Sequence, residues 1–450
     1  MRVFMLGWEF PPFISGGLGT ACYGLTKAMS KHGIDVTFVL PKSVVGQSGS
    51  HVKMLSPADL NKTDTSAAIA TKLESVKIAA ELGKIKFLKI ESPLTPYQTP
   101  QEYSQNQEHK HNIDEIIREK RLLLDETWSF DASDLEVSPN YSGDMFKEIH
   151  RYAAAAARLA LNEQFDIIHA HDWMTYPAGM AVSAISGKPL VVHVHATEFD
   201  RSGEHVNQTI YDIERKGMHA ADKVIAVSYL TRNIIISRYA VSGDKVEVVY
   251  NGVEKNGDSV NPVRQVGIKS DEKIVLFLGR ITMQKGPEYF LAAAKKVLEV
   301  MENVKFVMAG SGDMMHRIIS MAAEMGIGSN VLFTGFLRGE DVRRVYELAD
   351  LYVMPSVSEP FGISPLEALN YDVPVLISKQ SGCAEVLTHV LKVDFWDINE
   401  MANKIIAVLK YPPLQMTLKE HGNFEVRKLR WEDAALKCEK VYNEVLTEVV

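Results

Sequence analysis

The chain has 450 residues, 46% hydrophobic and 24% charged, enough for two or three globular domains with substantial cores. Its formal net charge of −8 argues against a broad nucleic-acid face, which needs clustered Lys and Arg, but not against a local basic pocket. Cys22, Cys383 and Cys438 lie far apart with no CxxC pair, which fits a reduced, cytoplasmic protein.

The opening MRVFMLGW carries one basic residue and turns at once into EFPPF, so it reads as a buried first strand and not a signal peptide. No apolar stretch approaches the roughly 18 residues of a membrane-spanning helix. Short β-rich runs then alternate with helix-length segments: Val3–Gly7, Asp35–Leu40, Lys86–Ile90, Asp166–Ala170, Leu190–His195, Lys223–Val227 and Glu247–Tyr250. After a polar stretch near Asn256–Lys273 the alternation resumes at Ile274–Leu278, Lys305–Ala309, Val331–Thr334, Leu351–Met354 and Pro374–Ile377. Apolar runs of this length indicate parallel strands buried on both faces, hence α/β, doubly wound sheets. There are too many for one comfortable sheet, so the expectation is two Rossmann-like domains facing a cleft, 1–255 and 256–430. A proline-led, highly charged segment at 92–142, with a helix around Ile113–Leu124, interrupts the first domain as a surface excursion, lid or acceptor platform. Trp431–Val450 has apolar positions near helical spacing and can rejoin the first domain.

Four segments carry chemistry. In EFPPFISGGLG, Gly16 and Gly17 bring bare backbone to a helix start, where unpaired amides bind phosphate. A dinucleotide fingerprint fits poorly: the glycines come late after the strand, and Asp35 begins the second strand instead of ending it. In LGRITMQKG, Arg280 and Lys285 follow the end of a parallel strand, facing the region where α/β sheets bind ligands. The pairs His169/His171 and His193/His195 allow a metal site, although hydrogen-bonding core histidines explain them more simply; Asp172, Glu198 and Asp200 follow no metal spacing. In SEPFGISPLEAL, Ser364 reads as an N-cap, Pro365 as the first helical residue and Glu367 as the third. Gly362, Ile363 and Ser364 would offer amides to phosphate; Glu367 either completes a capping box or binds a ribose.

In this order, with RWEDAALK closing the chain, these segments resemble the retaining GT-B glycosyltransferases, the broad group that includes glycogen and sucrose synthases. The resemblance spans nearly the whole chain. It implies that Arg280 and Lys285 bind the diphosphate of an NDP-sugar, that Glu367 accepts ribose hydroxyls, and that Glu359 lies near the transferred sugar. Gly16 and Gly17 would approach the donor phosphate, and His195 would contact the sugar, its carbonyl facing the anomeric carbon. Because cations and helix amides can neutralise the departing diphosphate, no metal or other cofactor is called for. The expected partners are a nucleotide sugar and a carbohydrate acceptor. Bacterial glycogen synthases carry Lys-x-Gly-Gly-Leu in the first glycine loop, where this chain has Ile14; that departure moves it toward family-four-like transferases, while EFPPF and HAHDW still favour α-glucan synthesis from NDP-glucose. The rivals are transfer to a lipid or cell-surface polysaccharide precursor, an NDP-sugar epimerase, a metallohydrolase and a two-domain sugar-binding protein.

Overall fold

The computed structural model describes residues 1–10, 16–40, 85–89, 144–254 and 272–448. The expected excursion at 92–142 with its expected helix, the polar stretch 256–271 and residues 11–15 lie outside them.

Two all-parallel sheets form. The first contains β1 (Arg2–Leu6), β2 (Asp35–Leu40), β3 (Ile85–Lys89), β4 (Ile167–His171), β5 (Leu190–Val194), β6 (Lys223–Ala226) and β7 (Val246–Val248). Its order is β3-β2-β1-β4-β5-β6-β7. The second contains β8 (Lys273–Leu278), β9 (Val304–Ala309), β10 (Val331–Gly335), β11 (Leu351–Met354), β12 (Val375–Ser378) and β13 (Leu391–Val393), in the order β10-β9-β8-β11-β12-β13. Central strands such as β4 and β5 are buried at every residue, which explains their continuous apolar runs. β13 was not anticipated: three residues at a sheet edge, LKV, give neither a run nor an alternation to read.

The order of each sheet reverses once, between β1 and β4 and between β8 and β11. At such a point the two neighbouring connections leave in opposite directions and open a crevice at the carboxyl ends of the strands. The chemistry-bearing segments all leave from there or one strand away. EFPPF follows β1, HAHDW ends β4, HVHATEFD ends β5, GRITMQKG follows β8 and SEPFG follows β11.

The last helix, Trp431–Glu448, packs on the helix Gly17–Lys31. Ala434, Ala435, Cys438, Val441, Tyr442 and Val445 enter the core of the first sheet. Each large apolar side chain so buried contributes about 1.5–3 kcal/mol. Two glycines admit the Trp431 end: a Cβ on Gly24 would meet the indole at 2.2 Å, and one on Gly252 would meet the Trp431 amide at 2.4 Å. The three cysteines are free and buried.

Candidate active site between the two sheets

The loop after β8 is shaped by close backbone approaches. Gly310, with φ of +143°, lets the chain leaving β9 pass the carbonyl of Gly279, which an added Cβ would meet at 1.9 Å. Beyond Arg280 a single turn of 3₁₀ helix, Met283–Lys285, ends at Gly286, whose φ is +66°. A Cβ there would meet the Pro355 carbonyl at 2.1 Å. The Gln284 carbonyl accepts the Val357 amide at 2.9 Å, so the loops after β8 and β11 lie backbone to backbone. Gly286→Ala adds both a disfavoured φ and a clash with a carbonyl. It is expected to destabilise the protein by on the order of 3 kcal/mol, seen as a lowered urea midpoint.

This apposition brings Lys285 and Glu359 together: Nζ lies 2.5 Å from Oε2, and Ser356 Oγ donates to the same oxygen at 3.2 Å. Arg280 donates to Gln284 Oε1 at 3.2 Å from the base of the same loop. Glu359 is 6% exposed, and its peptide is fixed on both sides, by Gln380 O and by the Gly382 amide.

The helix after Glu359 starts earlier than its sequence suggests. It spans Ile363–Asn370 with Gly362 at the N-cap, and no side chain caps it. Ser364 is therefore the second helical residue, Pro365 the third and Glu367 the fifth, so no capping box forms. The reason is Gly362: its φ of +97° turns the chain directly into the helix, with its Cα held against Met354, Cys383 and Glu359. Pro365 still sits in the first turn, where its missing N–H breaks no bond. Glu367 instead accepts from the Tyr346 hydroxyl at 3.0 Å, and burial raises its carboxyl above the ordinary value against that bond. The first-turn amides thus have no side-chain acceptor from the N-cap. Ile363 packs against the cores of both sheets.

The histidines form two layers. His169 Nε2 faces His193 Nδ1 at 3.2 Å, and His171 Nδ1 faces His195 Nε2 at 2.9 Å. The first pair stacks on the second, with centroids 4.3 Å apart for His169/His171 and 4.2 Å for His193/His195. His169 Nδ1 bonds the Tyr442 hydroxyl of the last helix. Burial lowers the His169 and His195 pKa values to about 3 and those of His171 and His193 well below the ordinary value. His169, His171 and His193 are the group of described residues that can bring ligand nitrogens within 4.8 Å of one another. The facing nitrogens of each pair already bond each other. Nε2 of His171 and Nε2 of His193 remain buried without a partner.

Above this stack, Asp172 holds the turn that carries His195. Its Oδ1 accepts the His195 amide at 2.7 Å and the Ala196 amide at 3.3 Å. Asp172 sits at φ 59°, ψ 167°, a conformation found almost only for glycine, and strain of this kind clusters at functional sites. Burial raises its carboxyl pKa to about 7 despite the two amides. From the other side, Arg201 bonds Glu198 and Glu214 and fixes the short helix Glu198–Ser202. That helix packs against the Met283–Lys285 turn, which places the His195 turn opposite the Lys285–Glu359 pair.

Gly16 caps the helix Gly17–Lys31, and Glu9 Oε2 accepts the Gly19 amide at 3.0 Å. No described atom lies within 4 Å of a Cβ on Gly17, so the interior does not require a glycine there.

A two-domain cleft with a cationic loop, a paired glutamate and a histidine turn suits transfer from a phosphorylated sugar. Comparison with known proteins agrees. The family model "Glycosyl transferases group 1" matches residues 261–423, and the model "Glycosyltransferase Family 4" matches 108–256. Both halves of the chain are thus similar to glycosyltransferases. It is 29% identical over 406 residues to an uncharacterized glycosyltransferase of Methanocaldococcus jannaschii, covering 86% of this chain and 83% of that protein. With the alpha-maltose-1-phosphate synthase of Mycolicibacterium smegmatis it shares 31% over 243 residues, 50% of this chain and 62% of the relative. Its fold is similar to that of sucrose-phosphate synthase from Thermosynechococcus elongatus, with a TM-score of 0.70, 19% identity and 99% of each chain covered.

Sequence reasoning placed Arg280, Lys285, Glu359, Glu367 and His195 at strand ends, and the structure joins Lys285 directly to Glu359. It missed Tyr346, which holds Glu367, and gave Asp172 and Asp200 no role. The signal for Asp172 was present: a carboxylate directly after a strand end, between two histidine pairs. Tyr346 gave none, because its helix, Glu340–Leu348, approaches Glu367 only in three dimensions. No described helix is long and apolar enough to cross a membrane.

Proposed function

We propose that the chain is a retaining hexosyltransferase that moves glucose from an NDP-glucose to an α-glucan, with no metal required. The observation that carries this reading is the Lys285–Glu359 pair, set beside Arg280 and opposite the His195 turn. In this reading the diphosphate takes up Lys285 and Arg280, so Glu359 is released from its cation as the donor binds and is free to accept sugar hydroxyls. The amides of Ile363 and Ser364 and those of Gly16 and Gly17 add positive potential around the phosphates. Glu367, steadied by Tyr346, accepts the ribose hydroxyls. Charge developing on the leaving diphosphate is met by groups already in place, which is the largest source of catalysis in such sites. The acceptor oxygen attacks from the face that the phosphate leaves, and that phosphate takes its proton.

The names of the relatives favour a second acceptor. Maltose-phosphate and sucrose-phosphate synthases make phosphorylated sugars, so a hexose phosphate is the alternative to a glucan. The test is an incubation of the protein with UDP-glucose or ADP-glucose and either glycogen or hexose phosphates. The expected result is α-linked chain growth on glycogen with release of one nucleoside diphosphate. Transfer to a hexose phosphate alone would replace the glucan reading, and transfer to neither from either donor would overturn both.

A further inference from the structure

We infer that Asp200 and Ser358 form a strut between the two domains that sets Glu359 against the His195 turn, which makes both of them positioning residues for the transfer. The inference rests on the proposed roles of Glu359 and His195.

Asp200 is buried, and its two oxygens point in different directions. Oδ2 accepts from both the amide and the hydroxyl of Thr197, at 2.8 Å each, closing a capping box two residues after His195. A capping box needs only that oxygen. Oδ1 reaches out of the first domain and accepts the Ser358 hydroxyl at 2.5 Å, on the loop after β11. Two residues further on, the Pro360 carbonyl accepts the Ser228 hydroxyl of the first domain at 2.6 Å. Gly382 keeps this second contact close, since a Cβ there would meet Pro360 O at 2.1 Å and Ser228 Cβ at 2.5 Å. Glu359 is therefore bracketed: the residue before it and the residue after it are each held by the opposite domain.

The consequence is geometric. The Lys285–Glu359 pair belongs to the second domain, but the position of Glu359 is referred to the first through Ser358 and Pro360. The hydroxyl of Ser358 is joined through Asp200 and Thr197 to the segment that begins at His195. A reaction between a donor held by one domain and an acceptor held by the other depends on this spacing, and small displacements there are costly.

The experiment uses Ser358→Ala, with Ser358→Thr as the variant that keeps the hydroxyl and Ser228→Ala for the second contact. UDP, ADP and GDP are screened by thermal shift, and affinity for whichever binds is then measured. Ser358→Ala is expected to lower kcat roughly tenfold or more while nucleotide affinity stays within about twofold, since Arg280 and Lys285 are untouched. Ser358→Thr should recover most of the loss, and Ser228→Ala should lower kcat in the same manner. Hydrogen exchange on the ligand-free protein gives a readout independent of substrate: Ser358→Ala should speed exchange both in 356–363 and across the interface in 195–201. Wild-type kcat in Ser358→Ala, or faster exchange confined to 356–363, would overturn the strut. If the wild-type protein transfers no glucose from either donor, the functional reading falls, and the exchange pattern alone then decides whether the strut exists.

Discussion

Replacing Lys285 by alanine is expected to lower turnover by roughly a hundredfold or more. A single preorganised donor facing developing charge contributes about 2.7–4 kcal/mol to lowering a barrier. The side chain of Lys285, on the loop after β8, is 21% exposed, and that of its partner Glu359 is 8% exposed. The same geometry changes what the substitution does to stability. Without Lys285, Glu359 keeps a hydrogen bond from Ser356 but loses its counter-charge in a largely buried position, a loss of about 1–3 kcal/mol. Turnover and stability should therefore fall together in Lys285→Ala. The double variant Lys285→Ala/Glu359→Gln separates them, because it leaves no stranded charge. Its urea midpoint should return toward that of the wild type, while turnover stays at or below that of the single variant. A double variant that recovered activity would mean that Lys285 serves only to neutralise Glu359. Near-normal turnover in Lys285→Ala itself would remove the donor site from this loop.

Why that pair was only half legible in the sequence is a matter of range. Strand ends could be read because central parallel strands are apolar on both faces, and the cationic loop and the glutamate loop could be placed at them. That Lys285 and Glu359 touch follows from β8 and β11 being neighbours at a point where strand order reverses, and adjacency of strands far apart in the chain leaves no local mark. The error at Ser364 has the opposite origin. Ser-Pro-x-Glu is a strong local helix start, but Gly362 can enter the helix directly from a left-handed conformation, and packing against Glu359 and Cys383 decided for it. Gly310 and Gly286 are of the same kind: their lack of a side chain answers a carbonyl contributed by another loop. The histidine pairs were legible as pairs on one strand face, but their layering required the register of β4 against β5, with His171 beside His193.

That layering makes acid stability the second large effect. His169, His171 and His193 are buried, and burial holds all three below the ordinary value of 6.5 in the folded protein. In the unfolded chain they protonate near 6.5, so unfolding takes up protons and stability falls as the pH drops below that value. Asp172 works the other way. Its folded pKa, raised to about 7 from 3.8, lets the native state bind a proton before the unfolded chain does, which favours the fold as the pH falls through the same window. His195, which burial also lowers to about 3, adds to the histidine side. From about pH 6.5 to 4.5 the three fully buried rings less Asp172 give a net uptake of about two protons on unfolding, or a loss of about 2.7 kcal/mol per pH unit, with His195 adding to it and the raised carboxyls of Glu214 and Glu367 taking from it. Over two units that loss is comparable to the whole stability of a typical domain. Urea unfolding at a series of pH values should show this slope, and His171→Asn or His193→Asn should each flatten it by about 1.4 kcal/mol per pH unit, whatever either does to stability at neutral pH. Asp172→Asn should act oppositely, steepening the acid limb while raising stability above pH 7, because it removes a buried charge and keeps an acceptor for the His195 amide. A limb that kept its slope in both histidine variants would mean that these rings titrate normally in the folded protein, and that the paired layers beneath the His195 turn are open to water.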